Sequence, residues 1–269
     1  MIGYTSSTYG DAFADVYDDW YHDLDDVPAA TATLAALAGD GGRVLELGVG
    51  TGRLAVPLAT ALTARGGTVT GVDSSSAMLE RLRRNDPGGL VAAHHGDMVD
   101  ALPDGPFDVV LVAYNTLFNV LDEARQAQCI AAAAARLAPG GVLVVEAFVP
   151  DEQAGSARDD VTVRSLTTTE VVLSVSRARP GTQRVEGQHI SISETGGVRL
   201  RPWAIRWATP AQLDEMAASA GLGRVARWSS LAAAHFDDHS ARHVSIYASR
   251  PPRRRGKRSG DKRSRLNVL

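Results

Sequence analysis

The chain has 269 residues, 44% of them hydrophobic, and a formal net charge of −3. That length fits one elaborated domain or two modest ones, and no run nears the roughly 18 uninterrupted apolar residues of a membrane-crossing helix. A single cysteine, Cys129, excludes an internal disulfide framework and a multi-cysteine zinc site, so no metal is expected.

The charge is uneven. From Arg250 onward nine basic residues face one acid, Asp261, which leaves residues 1–249 strongly acidic, with seven aspartates between Asp11 and Asp26. Nucleic-acid surfaces meet phosphates with Lys and Arg, so an acidic body disfavours one. Both lysines, Lys257 and Lys262, lie in the basic tail. The body therefore lacks the positioned ammonium that P-loop NTPases, Schiff-base enzymes and Tyr-x-x-x-Lys dehydrogenases need. The tail itself, without apolar periodicity, reads as disordered. The N-terminus has neither the basic flank nor the apolar run of a signal peptide, and the expected location is the cytoplasm.

In chain order, Phe13, Tyr17, Trp20, Tyr21 and Leu24 recur at three- and four-residue spacing, which predicts an amphipathic helix over 13–24 with an aromatic face. From 43 to 150, RVLELGV, TVTGVD, LVAAHHGD, FDVVLVAYN and GVLVVEAFV read as five strands, with helices near 52–64, 75–85 and 122–137. Continuous apolar strands joined by helical crossovers imply an α/β, mostly parallel sheet with helices on both faces. LAPGG (137–141) is read as the stop between the last of these helices and the fifth strand. Residues 161–207 hold four short strands broken by Pro180-Gly181 and Gly196-Gly197, an antiparallel β insertion. A helix over 209–222 and two closing strands, RVARWSS and HVSIYAS, return to the α/β unit.

The first strand runs into LELGVGTGRLA, where Gly48, Gly50 and Gly52 permit a tight turn against a ligand. A dinucleotide fingerprint would put its third glycine at position 53, which is Arg53. Glu46, two residues ahead of the glycines, suits a cationic ligand better than a pyrophosphate. Asp73 ends the next strand, where a carboxylate can accept both hydroxyls of a ribose, and Gly96-Asp97-Met98 ends the third with a carboxylate and a thioether for an adenine.

With GVDSSSAML, GDM, FDVVLVAYNTLFN and LAPGGVLVVEAF in this order, the stretch 43–150 resembles the class I S-adenosylmethionine-dependent methyltransferases. The resemblance implies a Rossmann-like seven-stranded sheet with a reversed last hairpin. It implies Glu46, Gly48, Gly50 and Gly52 around the methionine part, Asp73 on the ribose, Met78 and Met98 on the adenine faces and Asp97 on its edge. Tyr17, Arg53, Ser74 and Tyr114 complete the expected cofactor set. The layout is most similar to small-molecule enzymes of bacterial secondary metabolism, including amino-sugar N,N-dimethyltransferases, although Phe118-Asn119 stands where those tend to carry Gly-His.

The expected organisation is an N-terminal helical lid or cap (1–42), a cofactor-binding core (43–150), an antiparallel insertion serving as substrate wall or dimer surface (151–208), completion of the core (209–249) and the basic tail (250–269). The expected activity is methylation of an amine or hydroxyl on a small molecule, with His189, Tyr21 and Asn119 as catalytic candidates and a homodimer as a possible assembly. A cofactor-binding regulatory module without methyl transfer is the rival reading, and a nicotinamide oxidoreductase a weaker one.

Overall fold

A computed structural model describes residues 1–22, 24, 26–151 and 156–249. Short runs rich in apolar residues between turns form the parallel strands β1 (Arg43–Leu47), β2 (Thr68–Asp73), β3 (Val91–His95), β4 (Phe107–Val112) and β5 (Leu137–Phe148). β10 (Leu222–Trp228) and β11 (Arg242–Ser249) close the sheet antiparallel, in the order β10-β11-β5-β4-β1-β2-β3. Successive residues of a strand face opposite sides. Leu45, Leu47, Val110 and Val145 accordingly join one buried cluster, whereas Val44, Val109, Leu111 and Val144 join another on the other face. The helices α3 (Val27–Ala38), α4 (Ala55–Thr63), α5 (Ser76–Asn85), α6 (Glu123–Ala134) and α7 (Pro210–Ser219) cover the sheet. This is the α/β sheet read from the strand pattern.

Between β5 and α7 the chain leaves the sheet and builds a separate four-stranded antiparallel one, ordered β6 (Arg158–Leu166), β7 (Glu170–Arg179), β8 (Arg184–Ser193) and β9 (Gly197–Arg206). Its inner face, with Val172, Ser191 and Arg201 buried, packs against the N-terminal segment. Its other face leaves Val163, Val198 and Leu200 more than half exposed. No helix among the described residues is long and apolar enough to cross a membrane.

Four local readings need correction. The helix expected over 13–24 is two short pieces, α1 (Thr8–Phe13) and α2 (Tyr17–Trp20). The break has a cause: Arg201 takes the carbonyl of Ala12, and Arg81 takes those of Ala14 and Asp15, which an unbroken helix would use itself. α3 is a further helix beyond the one expected ahead of residue 43; Asp26 caps it by accepting the Ala29 N–H, and Pro28 sits in its first turn. α4 starts at Ala55, because Gly48, Gly50 and Gly52 all hold positive φ and keep the preceding residues out of the helix. Leu137–Gly141 already belongs to β5, in a stretch of irregular pairing with β4. The basic tail lies outside the described residues.

Candidate active site

β1 delivers the glycine turn to the carboxyl edge of the sheet, where Gly48 and Val49 donate their N–H groups to the Val72 carbonyl at 2.7 and 3.0 Å. A Cβ at Gly48 would collide with Thr116, and one at Gly52 with Leu82, so these two glycines permit close packing. A Cβ at Gly50 would meet nothing within 4 Å. Gly50 is the open position of the turn, and it lines the cavity. Asp73 braces it, with one carboxylate oxygen accepting the Gly50 N–H at 2.9 Å and the other the Ser75 N–H at 2.8 Å. Burial raises the Asp73 pKa, and those two bonds oppose the rise.

The turn forms the floor of a cavity of about 320 Å³. Asp73, Ser74 and Met78 continue the floor, Asp97 and Met98 line a side wall, and Thr116, Asn119 and Arg125 stand beyond them. Asp97 accepts the Val99 N–H at 2.8 Å and lies 3.5 Å from Arg125, whose guanidinium also makes two bonds to Asp100. Residues 4–6, Tyr9, Gly10 and Tyr17 supply lining from the N-terminal segment. That segment is tied down at its start by Met1 N to Glu186 at 2.8 Å and within α1 by Ser75 Oγ to Asp11 at 2.7 Å.

The other expected site residues stand behind this lining. Glu46 is buried, one of its oxygens has no hydrogen-bond partner, and burial pushes its pKa up to about 8 against the opposing pull of Arg53. Arg53 stacks over Tyr114 at 5.7 Å. Tyr21 is buried between Tyr17 and Tyr114, at ring distances of 4.7 and 5.9 Å, and receives a long bond from the Tyr9 hydroxyl. His189 does not line the cavity: its ring is set edge-on to Phe13 and Trp20, 5.6 and 5.7 Å away. Burial, then Arg164 and Arg201, lowers its pKa to about 4. Of the three catalytic candidates only Asn119 reaches the cavity.

The sequence reading missed Tyr4, Tyr9, Thr116, Arg125 and Arg184 as lining residues. The first two carried a faint signal, as tyrosines in a polar stretch ahead of the aromatic face. The arginines carried none.

A glycine turn open on a cavity, a half-buried carboxylate beside it and a second, buried acid with one unpartnered oxygen fit a ligand with a diol and a cationic end. S-adenosylmethionine has both. A family model described as a methyltransferase domain matches residues 44–141. The cypemycin N-terminal methyltransferase of a Streptomyces species is 31% identical over 185 residues, which cover 68% of this chain and 73% of that protein. The chain belongs to the S-adenosylmethionine-dependent methyltransferases. Among solved structures, the CcbJ methyltransferase from Streptomyces caelestis is 40% identical, with a TM-score of 0.82 over 91% of this methyltransferase and 99% of that chain. A calicheamicin-pathway amino pentose methyltransferase from Micromonospora echinaspora, solved with S-adenosylmethionine bound, is 26% identical, with a TM-score of 0.64 over 86% and 95% of the two chains.

Proposed function

We propose that this methyltransferase acts on an amine of a small molecule. Bound S-adenosylmethionine supplies an electrophilic methyl carbon. An amine acceptor would bring a neutral lone pair, displace the thioether sulfur and shed its proton to solvent, so it would need little more than alignment and exclusion of water, whereas a hydroxyl would call for a general base. Two imidazoles are best situated in sequence to act as that base: His95, whose Nε2 lies 3.0 Å from the Ser74 carbonyl, and His189, whose placement is the observation that carries the amine reading. His189 is packed behind Phe13 and Trp20, and a pKa near 4 makes it a poor acceptor of a hydroxyl proton. The names of the cypemycin and amino pentose relatives, an N-terminal and an amino-sugar methyltransferase, support the same reading.

In this reading Asp73 accepts the ribose hydroxyls, Asp97 the adenine amino group, and Met78 and Met98 flank the ring. Glu46 meets the ammonium of the methionine part, and Tyr17 offers a π face to the sulfonium. Asn119 and Thr116 orient the acceptor, and the N-terminal segment excludes water. The exposed apolar face of the four-stranded sheet, with Val163, Ile192, Val198 and Leu200, forms the contact of a homodimer.

The test is methyl transfer to matched pairs of amines and alcohols, read as a gain of one methyl by mass spectrometry. Transfer to amines is expected, at rates that rise with pH through the acceptor's own pKa. Transfer confined to alcohols defeats the proposal. Light scattering of Val163→Arg, expected to be monomeric, tests the dimer.

A further inference from the structure

Arg179 on β7, Arg184 on β8 and Arg206 on β9 stand directly opposite one another in register. Like charges facing each other across neighbouring strands destabilise a sheet, so a row of three guanidinium groups requires compensation. Two members have it. Arg179 lies 3.2 Å from Glu186, and Arg206 is buried with Glu123 at 2.6 Å and the Gln126 amide oxygen at 2.7 Å.

Arg184, in the middle of the row, has no side-chain hydrogen bond or ion pair among the described residues, and it lines the cavity. The cavity's carboxylates are engaged elsewhere: Asp73 with Gly50 and Ser75, Asp97 with Val99 and Arg125, Asp122 with the Arg125 N–H that it caps. Tyr4 lines the same cavity. Its hydroxyl accepts the Ala204 N–H at 3.2 Å and keeps its own hydrogen to donate.

We infer that Arg184 determines acceptor specificity by binding an anionic group, a phosphate or a carboxylate, carried by the methyl acceptor away from the atom that is methylated. The inference rests on the reading of this cavity as the acceptor site. It does not depend on whether an amine or a hydroxyl is methylated. With Arg179 and Arg206 balanced by Glu186 and Glu123, the exposed guanidinium of Arg184 is the member of the row left for an anion to match.

The experiment is calorimetric titration of the full chain, saturated with S-adenosylhomocysteine, with inorganic phosphate and separately with acetate. At least one anion is expected to bind. Arg184→Gln should weaken that binding by about tenfold or more, and Arg184→Lys, which keeps the charge, by less. Tighter phosphate points to a phosphorylated acceptor, tighter acetate to a carboxylated one. Binding of neither anion to the parent chain, or equal binding to Arg184→Gln with an unchanged melting temperature, overturns the inference. No methyl is transferred in this assay, so its failure leaves the amine reading standing, and a failure of the amine reading leaves this one standing.

Discussion

Arg201 of β9 holds the carboxylate of Asp15 at 3.1 Å while its other terminal nitrogen takes the Ala12 carbonyl at 3.0 Å. The Arg201 side chain is 4% exposed. Arg199 reaches the same carboxylate at 2.7 Å, and Arg164 bonds the Trp20 carbonyl at 3.0 Å while stacking over the Trp20 and Tyr21 rings. Besides contributing Arg184 to the lining, the insertion acts on the cavity through the N-terminal segment, which it grips while α5 holds the same segment through Arg81 and Ser75. These bonds join two elements that a ligand in the cavity would draw together.

Segments over ligand sites come from the less stable end of a fold. Hydrogen exchange over residues 8–20 should therefore slow when S-adenosylhomocysteine binds. Arg201→Met should abolish much of that protection and weaken S-adenosylhomocysteine binding by about tenfold, the scale of one charge-assisted hydrogen bond. Equal exchange over 8–20 with and without ligand would make the segment a fixed part of the core.

The sheet and the glycine turn were legible because their signals are local. Strand runs end in Glu46-Leu47-Gly48, Asp73 and Asp97, and each of these residues reaches the carboxyl edge by the period of a strand and its turn. What escaped depends on contacts made far along the chain. The split between α1 and α2 is set by Arg81 and Arg201, which follow it by more than 60 and 180 residues. The position of His189 is decided by Phe13 and Trp20, and that of Arg125 by Asp100. No spacing within a segment encodes these partners.

Asp73 provides the sharpest test of the cofactor roles. Its two oxygens already hold the Gly50 and Ser75 N–H groups, and each keeps a lone pair for a ribose hydroxyl. Hydrogen bonds to a charged group contribute roughly 1.5 to 3 kcal/mol. Asp73→Ala should weaken S-adenosylhomocysteine binding by about 2 to 4 kcal/mol, on the order of 30- to 1,000-fold. Calorimetry at a temperature where the variant is folded measures it, and parent-like affinity would move the site elsewhere.

Acid sensitivity follows from His243, a fully buried residue whose Nδ1 lies 2.9 Å from Ser245 Oγ, a hydroxyl that also receives Arg227. Burial, then Arg227, lowers its pKa from 6.5 to about 4. The folded state therefore favours the neutral ring. Its contribution to stability is complete above pH 6.5 and is lost as pH falls from 6.5 towards 4, where the unfolded chain binds the proton first. Melting of the parent and of His243→Gln, which cannot titrate, should differ by an amount that shifts against the parent over that window. A difference constant from pH 7 to pH 4.5 would remove His243 from the account.

Glu46 behaves in the opposite sense. With a folded pKa of about 8 against an ordinary 4.5, its buried carboxyl favours the protonated form, so its contribution to the ligand-free protein is complete below pH 4.5 and is lost as pH rises to 8. Glu46→Gln keeps a neutral group of similar shape at every pH. The ligand-free variant should therefore gain melting temperature relative to the parent as pH rises from 5 to 8. In the proposed placement S-adenosylhomocysteine reverses the preference, because its ammonium would stabilise an ionised carboxylate beside it. Parent affinity should climb over the same interval with release of a proton, measurable as a buffer-dependent heat, whereas the variant should bind more weakly with a flat profile. Parallel profiles for the two proteins would separate Glu46 from the ammonium and leave its burial without a ligand to explain it.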